Sequence, residues 1–65
     1  MPLDFEDYDE RTQTLTVSFG QRVYAYSPVP KDVANGFKMA DAVGVSKGSY
    51  FQRYIKSRYK GRKVR

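Results

Sequence analysis

The sequence predicts an α+β fold, in which a small antiparallel β-hairpin or three-stranded meander is followed by two α-helices packed on one face. Three observations support this prediction. Polar and apolar residues alternate over 12–19, a second extended run follows over 22–27, and apolar residues then recur at helical spacing from Val33 onward. The chain has 65 residues, which suits one domain over 1–60 followed by a basic, mobile tail over 61–65.

The loop between the two extended runs decides where two tyrosines point. Gly20 and Gln21 suit a two-residue type II′ turn, which pairs the flanking residues and places Tyr24 and Tyr26 on the apolar face with Val17. A three-residue loop would shift the register and move both rings to the polar face. Two interpretations follow: the rings pack in the core, which the shortage of large apolar groups favours, or they stack with bases.

The remaining elements follow from local signals. Residues 3–9 predict a third strand, and apolar spacing after the prolines predicts a first helix over 30–43 that ends at Gly44. Ser46 is a candidate N-cap for a second helix over 47–60.

Composition excludes several classes of function. The chain has no cysteine and no histidine, so disulfides, thiolate metal sites and the usual proton carrier at neutral pH are absent. No nucleophile, base and orienting group can be assembled, so we predict neither enzymatic activity nor a cofactor. No apolar run has the length of a membrane span and the start is acidic, so we expect a cytoplasmic protein without a membrane partner.

Two segments have both a structural and a ligand-binding interpretation. Five acids near the start are candidate Mg²⁺ ligands, although solvated carboxylates on a chain end explain them more simply: Asp4, Glu6, Asp7, Asp9 and Glu10. The segment 44–49 has two glycines and Lys47 before a predicted helix, yet it lacks Walker spacing. The end of one helix and the start of the next explain this glycine-rich segment. The alternative is that its free backbone amides bind one phosphate.

The charge of the chain is strongly partitioned. Residues 1–20 carry five acids and one arginine, a sum of −4; residues 21–46 carry three cations and two acids, a sum of +1. Residues 47–65 carry eight cations and no acid, a sum of +8. This asymmetry predicts a polyanionic partner for the C-terminal part, most commonly nucleic acid, or else an acidic protein surface.

The candidate nucleic-acid-binding residues are therefore C-terminal. In a helix over 47–60, the residues Arg53, Lys56 and Lys60 cluster opposite an apolar stripe. A ring beside this basic face has the right chemistry to stack with a base. The candidates are Lys47, Tyr50, Arg53, Lys56, Arg58, Lys60, Arg62, Lys63 and Arg65.

The order of short motifs resembles a known family. The chain has "YD" at 8, "TLTVSF" at 14, "VYAY" at 23, "VP" at 29 and "SKGSYF" at 46, with isoleucine at 55 and tyrosine at 59. Over residues 8–60 it resembles the KTSC domain, named after the C-terminal domain of some lysyl-tRNA synthetases and found also as short stand-alone proteins of bacteria and phages. The chain departs from the family pattern in "PLDFED" and in a shorter hairpin turn. The resemblance implies RNA binding and supplies no catalytic residues.

Two functional hypotheses remain. The first is a small nucleic-acid-binding module, RNA preferred, that contacts phosphates through the basic C-terminal helix and tail. The alternative is a protein-interaction module or small phage-type modulator that docks on an acidic surface of a larger host protein. The sequence leaves the oligomeric state and the identity of the partner open.

Overall fold

The computed structural model describes residues 3–65 and has an α+β architecture built on a four-stranded antiparallel sheet. The strands lie in the sheet in the order in which they follow one another along the chain, so each is adjacent to its neighbour in the sequence. In chain order, the elements are β1 (Leu3–Asp9), β2 (Thr14–Phe19), β3 (Arg22–Ser27), helix α1 (Lys31–Met39), a 3₁₀ turn (Asp41–Val43), helix α2 (Lys47–Phe51), a π-helical turn (Gln52–Lys56) and β4 (Lys60–Lys63).

The hairpin of β2 and β3 has the register of the two-residue loop. Phe19 pairs with Arg22, and Val17 pairs with Tyr24. Gly20 has φ of 61°, the left-handed value that the first central residue of a type II′ turn requires. Both tyrosines therefore lie on the apolar face, where Tyr26 is 8% exposed and Tyr24 is half-buried. The packing interpretation is confirmed for Tyr26.

Strand β1 confirms the third strand, with an irregularity that the sequence pattern did not predict. Phe5 pairs with Val17, but Asp7 then pairs with Thr16, which leaves Glu6 as an extra residue. An inserted residue reverses the alternation of a strand. Tyr8 consequently shares the inner face with Phe5, and its hydroxyl donates a hydrogen bond to the Val29 carbonyl. The bulge moves Asp7 away from the core.

The helix boundaries confirm the predicted caps but not the predicted length of the second helix. The predicted first helix over 30–43 is divided into α1, which ends at Met39, and the 3₁₀ turn, which Gly44 ends with φ of 81°. The Ser46 hydroxyl accepts a hydrogen bond of 3.1 Å from the Ser49 amide. The prediction that the second helix extends to residue 60 is wrong, because helical structure ends at Lys56. Within the described residues, no helix has the length and apolarity that crossing a bilayer requires.

The prediction of a mobile tail is also wrong, because its first residues belong to β4. This strand pairs antiparallel with β3, with Gly61 opposite Tyr26. A Cβ atom at Gly61 would overlap the Tyr26 ring, so glycine lets β4 approach the buried ring closely. The Val64 amide extends the pairing by donating a bond of 2.7 Å to the Val23 carbonyl. Strand pairing uses backbone groups, so an exposed edge strand tolerates charged side chains.

One buried cluster joins the sheet and the helices. Phe37 of α1 and Phe51 of α2 lie in it, and their ring centroids are 6.1 Å apart. Phe51 also meets Tyr26 of β3 edge-to-face at 5.2 Å. The members of the cluster are Leu15, Val17, Tyr26, Val29, Ala34, Phe37, Phe51 and Ile55.

A close approach between the helices yields a stability prediction. The Tyr50 hydroxyl packs on Gly36 in the middle of α1 and donates a bond of 2.9 Å to the Val33 carbonyl. A Cβ at Gly36 would overlap that hydroxyl. We expect Gly36→Ala to destabilise the protein by about 1–3 kcal/mol through overpacking, although alanine is the better helix former. Urea denaturation followed by circular dichroism measures this.

Gly48→Ala is the matched control, because Gly48 lies in α2 and a Cβ there meets only the Ser46 hydroxyl at an ordinary 3.5 Å. It should be neutral or stabilising by up to about 1 kcal/mol. Equal stabilisation by both substitutions would contradict the close packing of Tyr50 on Gly36.

Candidate nucleic-acid interface

The cations of residues 53–65 all lie at the surface. They are Arg53, Lys56, Arg58, Lys60, Arg62, Lys63 and Arg65. Between residues 3 and 65 the structure has two salt bridges, Lys31 with Glu10 at 3.3 Å and Lys47 with Asp41 at 2.9 Å. Neither involves these seven cations, so no carboxylate of the described chain neutralises them at close range.

Lys47 differs from the other predicted cations. Its side chain is 17% exposed and its ammonium group contacts the Asp41 carboxylate. The hydrogen bond from Lys47 lowers the pKa of Asp41 below its usual value. A phosphate would have to compete with this carboxylate, which makes Lys47 the least available of the predicted contacts.

Tyr50 is largely structural but lies beside a predicted cation. Its hydroxyl is bonded to Val33, and burial raises the pKa of that hydroxyl. The Tyr50 ring lies 4.8 Å from the Tyr54 ring, and both border a shallow groove together with Arg53. Arg58 adds a cation 5.9 Å from the centre of the Tyr54 ring. The predicted proximity of ring and arginine is thus present at Tyr50 and Arg53.

The three cations predicted to share one helix face are dispersed. Arg53 borders the groove of Tyr50, while Lys56 borders a separate pocket. Lys60 lies in β4 opposite Ser27, and it borders a third depression together with Arg62. The helical clustering of Arg53, Lys56 and Lys60 is wrong because the helix ends before Lys60.

The pocket beside Lys56 combines aromatic rings with cations, and we call it the aromatic pocket. It has a volume of about 280 Å³ and is lined by Phe19, Arg22, Tyr24, Tyr26, Phe51 and Lys56. Tyr26 and Phe51 are buried, Phe19 and Tyr24 are half-buried, and both cations are exposed. The rings meet edge-to-face, with centroids 5.8 Å apart for Phe19 and Tyr24 and 5.5 Å apart for Phe19 and Phe51.

Arg22 is the cation of the pocket that the sequence prediction missed. The signal was present, because the two-residue turn pairs Arg22 with Phe19 and therefore places it on the face of Tyr24. Lys63 reaches the same face by pairing with Tyr24 across β3 and β4. The register of the sheet thus places Arg22, which is far from residues 53–65 in the sequence, on the same face as the predicted cation Lys63.

The other two candidate segments have structural roles. In residues 3–65, no three acidic side chains converge on a position suited to a metal ion. Asp9 instead accepts a hydrogen bond of 3.0 Å from the Arg11 amide in the turn after β1. In the segment 44–49, the Ser49 amide is already bonded to Ser46, which leaves it unavailable to a phosphate.

Together these features define a small α+β domain with an aromatic pocket, lined mainly by residues of β2 and β3, beside the exposed cations of the C-terminal part. The family model of the KTSC domain matches residues 4–59, which is most of the chain, and the chain therefore belongs to the KTSC domain family. The match begins at the second residue of β1, covers β2, β3 and both helices, and ends one residue before β4. No curated protein is similar enough in sequence to be identified as a relative.

Proposed function

We propose that this protein is a small nucleic-acid-binding module that contacts phosphates through the cations of residues 53–65. The main support is that these seven exposed cations have no salt-bridge partner within the described chain. The preference for RNA over DNA rests on the association of the KTSC family with lysyl-tRNA synthetases.

The energetics favour a polyanionic partner over a role in solubility. Interspersed charges of both signs keep a surface soluble without self-repulsion, whereas a single-sign surface repels itself. Residues 47–65 have eight cations and no acid. A nucleic acid removes the repulsion and gains from the release of its condensed counterions.

The fold distributes these cations over adjoining surfaces. Lys60 and Arg62 lie on the outer face of β4, whereas Lys63 and Lys56 lie on the side of the aromatic pocket. Alternate side chains of a strand point to opposite faces. A flexible single-stranded nucleic acid that wraps around the β4 edge can contact both sets of cations. A straight duplex cannot contact both sets equally well.

Salt dependence tests the proposal. Labelled single-stranded RNA, duplex RNA and DNA are titrated with the protein at 50 and 200 mM salt. With four to six phosphate contacts on a single strand, the slope of log affinity against log salt should be about −3 to −4, a loss of about 50- to 300-fold. Absence of binding to all three at 50 mM salt would refute the proposal.

A protein-interaction module is the second candidate, favoured by the position of β4. This strand is the last in the sheet order, and its four residues are exposed. A partner strand with acidic side chains has the chemistry to extend the sheet at this edge. This candidate predicts no nucleic-acid binding at low salt, together with binding to an acidic protein that Gly61→Pro abolishes by disrupting the edge strand.

A further inference from the structure

The aromatic pocket has the size and composition of a site for one small planar group. Ligand pockets in proteins commonly have volumes of about 300–1,000 Å³, and this one, at about 280 Å³, lies just below that range and suits only a small group. Buried Tyr26 and Phe51 line its interior, and half-buried Phe19 and Tyr24 leave part of their rings accessible. Such a surface favours an aromatic ligand that stacks or packs edge-on.

The cations of the pocket restrict the ligand further. Arg22 and Lys56 line it and are exposed, and Lys63 lies on the same face opposite Tyr24. Three cations around an aromatic interior favour a planar group that is attached to negative charge. A nucleotide has both parts, because its base stacks on aromatic rings while its phosphates contact arginine and lysine.

A nucleic acid presents a base to such a pocket when it is single-stranded. Within a duplex, the bases are paired and stacked, so a base enters a side-chain pocket only when it is unpaired. We infer that the aromatic pocket holds one unstacked base of a single-stranded nucleic acid, with the neighbouring phosphates on Arg22, Lys56 and Lys63. This inference rests on the proposed function and extends it from phosphate contact to base binding.

The test compares two oligomers with the same number of phosphates. One is a single-stranded RNA hexamer, and the other is an abasic sugar-phosphate hexamer. The wild-type protein should bind the base-containing oligomer about 5- to 150-fold more tightly at the same salt concentration, since one stacked base contributes this factor.

Variants locate the preference. Tyr24→Leu removes an accessible ring from the pocket and keeps an apolar side chain beside Val17. It should lose the preference for the base-containing oligomer, while its affinity for the abasic oligomer stays unchanged. Tyr54→Leu is the control, because the Tyr54 ring is 40% exposed and lies outside the aromatic pocket. The control should retain the full preference.

The outcomes separate this inference from the proposed function. Equal binding of both oligomers by the wild-type protein would overturn the inference and leave phosphate binding intact, whereas binding of neither would overturn the proposed function as well. A preference that survives in Tyr24→Leu, or that is lost only in Tyr54→Leu, would also overturn the inference. If Tyr24→Leu does not fold, adenosine monophosphate titrated into wild-type protein should shift the NMR signals of Phe19, Tyr24 and Phe51, and unchanged signals would overturn the inference.

Discussion

Replacing Phe37 with alanine is expected to remove about 3–5 kcal/mol from the free energy of unfolding. Phe37 is 0% exposed and is the largest of the fully buried side chains. Its ring contacts Phe51, and it lies 6.4 Å from the Tyr50 ring, so the substitution opens a cavity between both helices and the sheet. A domain of 65 residues has a total stability of only roughly 3–10 kcal/mol. Phe37→Ala should therefore remove a large fraction of the total stability and unfold at a much lower urea concentration than the wild type.

Urea denaturation followed by circular dichroism measures this effect, with two comparison variants. Phe37→Leu retains most of the volume and should lose about 1–1.5 kcal/mol. Met39→Ala changes a residue at the end of the same helix that is 52% exposed, and it should stay within about 0.5 kcal/mol of the wild type. If Phe37→Ala unfolds at the urea concentration of Met39→Ala, the buried cluster does not stabilise the fold as described.

The second large effect concerns binding. Reversal of Arg53, Lys56 and Lys60 to glutamate changes the net charge by −6, from +5 to −1. If each residue contacts a phosphate, the affinity for single-stranded RNA at 100 mM salt should fall by about 100-fold or more. All three side chains are exposed and have no carboxylate partner in the described chain, so the fold should persist. Filter binding or fluorescence anisotropy measures the affinity, and circular dichroism verifies the fold.

The matched control variant has the same net charge, but its three reversed cations lie outside residues 53–65. Reversal of Arg11, Lys31 and Lys38 also changes the charge from +5 to −1, and these three residues are exposed as well. The salt bridge of Lys31 with Glu10 that this variant loses is a surface pair, which contributes at most about 1 kcal/mol. The control reversal should weaken binding much less, because it acts only through the long-range field, which salt screens. Equal losses in the two triple variants would mean that net charge alone determines the affinity and that residues 53–65 form no specific interface.

Local signals in the sequence predicted much of the fold. Alternation identified β2, and the length of the loop at Gly20 set the register that places Tyr26 in the core. Ser46 and Gly44 marked the ends of the helical segments. Each of these features depends on a few neighbouring residues and on backbone preferences that are readable along the chain.

The candidate site was only partly predictable. Charge alone identified the exposed cations of residues 53–65. Helical periodicity, however, wrongly placed Arg53, Lys56 and Lys60 on one face of a helix. Periodicity assumes that the helix continues, and the end of the helix at Lys56 depends on how the chain returns to the sheet. The bulge at Glu6 in β1 escaped prediction for a similar reason, because pairing with β2 determines it.

The sequence by itself determined the class of fold and the concentration of positive charge at the C-terminal end, and it limited the hairpin register to two alternatives, between which the structure decided. Only the tertiary structure decided that this end forms β4 and that Arg22 and Lys56 meet around the rings of the aromatic pocket. The physical reason is that alternation, turns and caps are local interactions, whereas an edge strand without an apolar pattern is held by backbone hydrogen bonds to a distant segment. Its position becomes defined only when β3 offers a free edge and Gly61 fits against Tyr26.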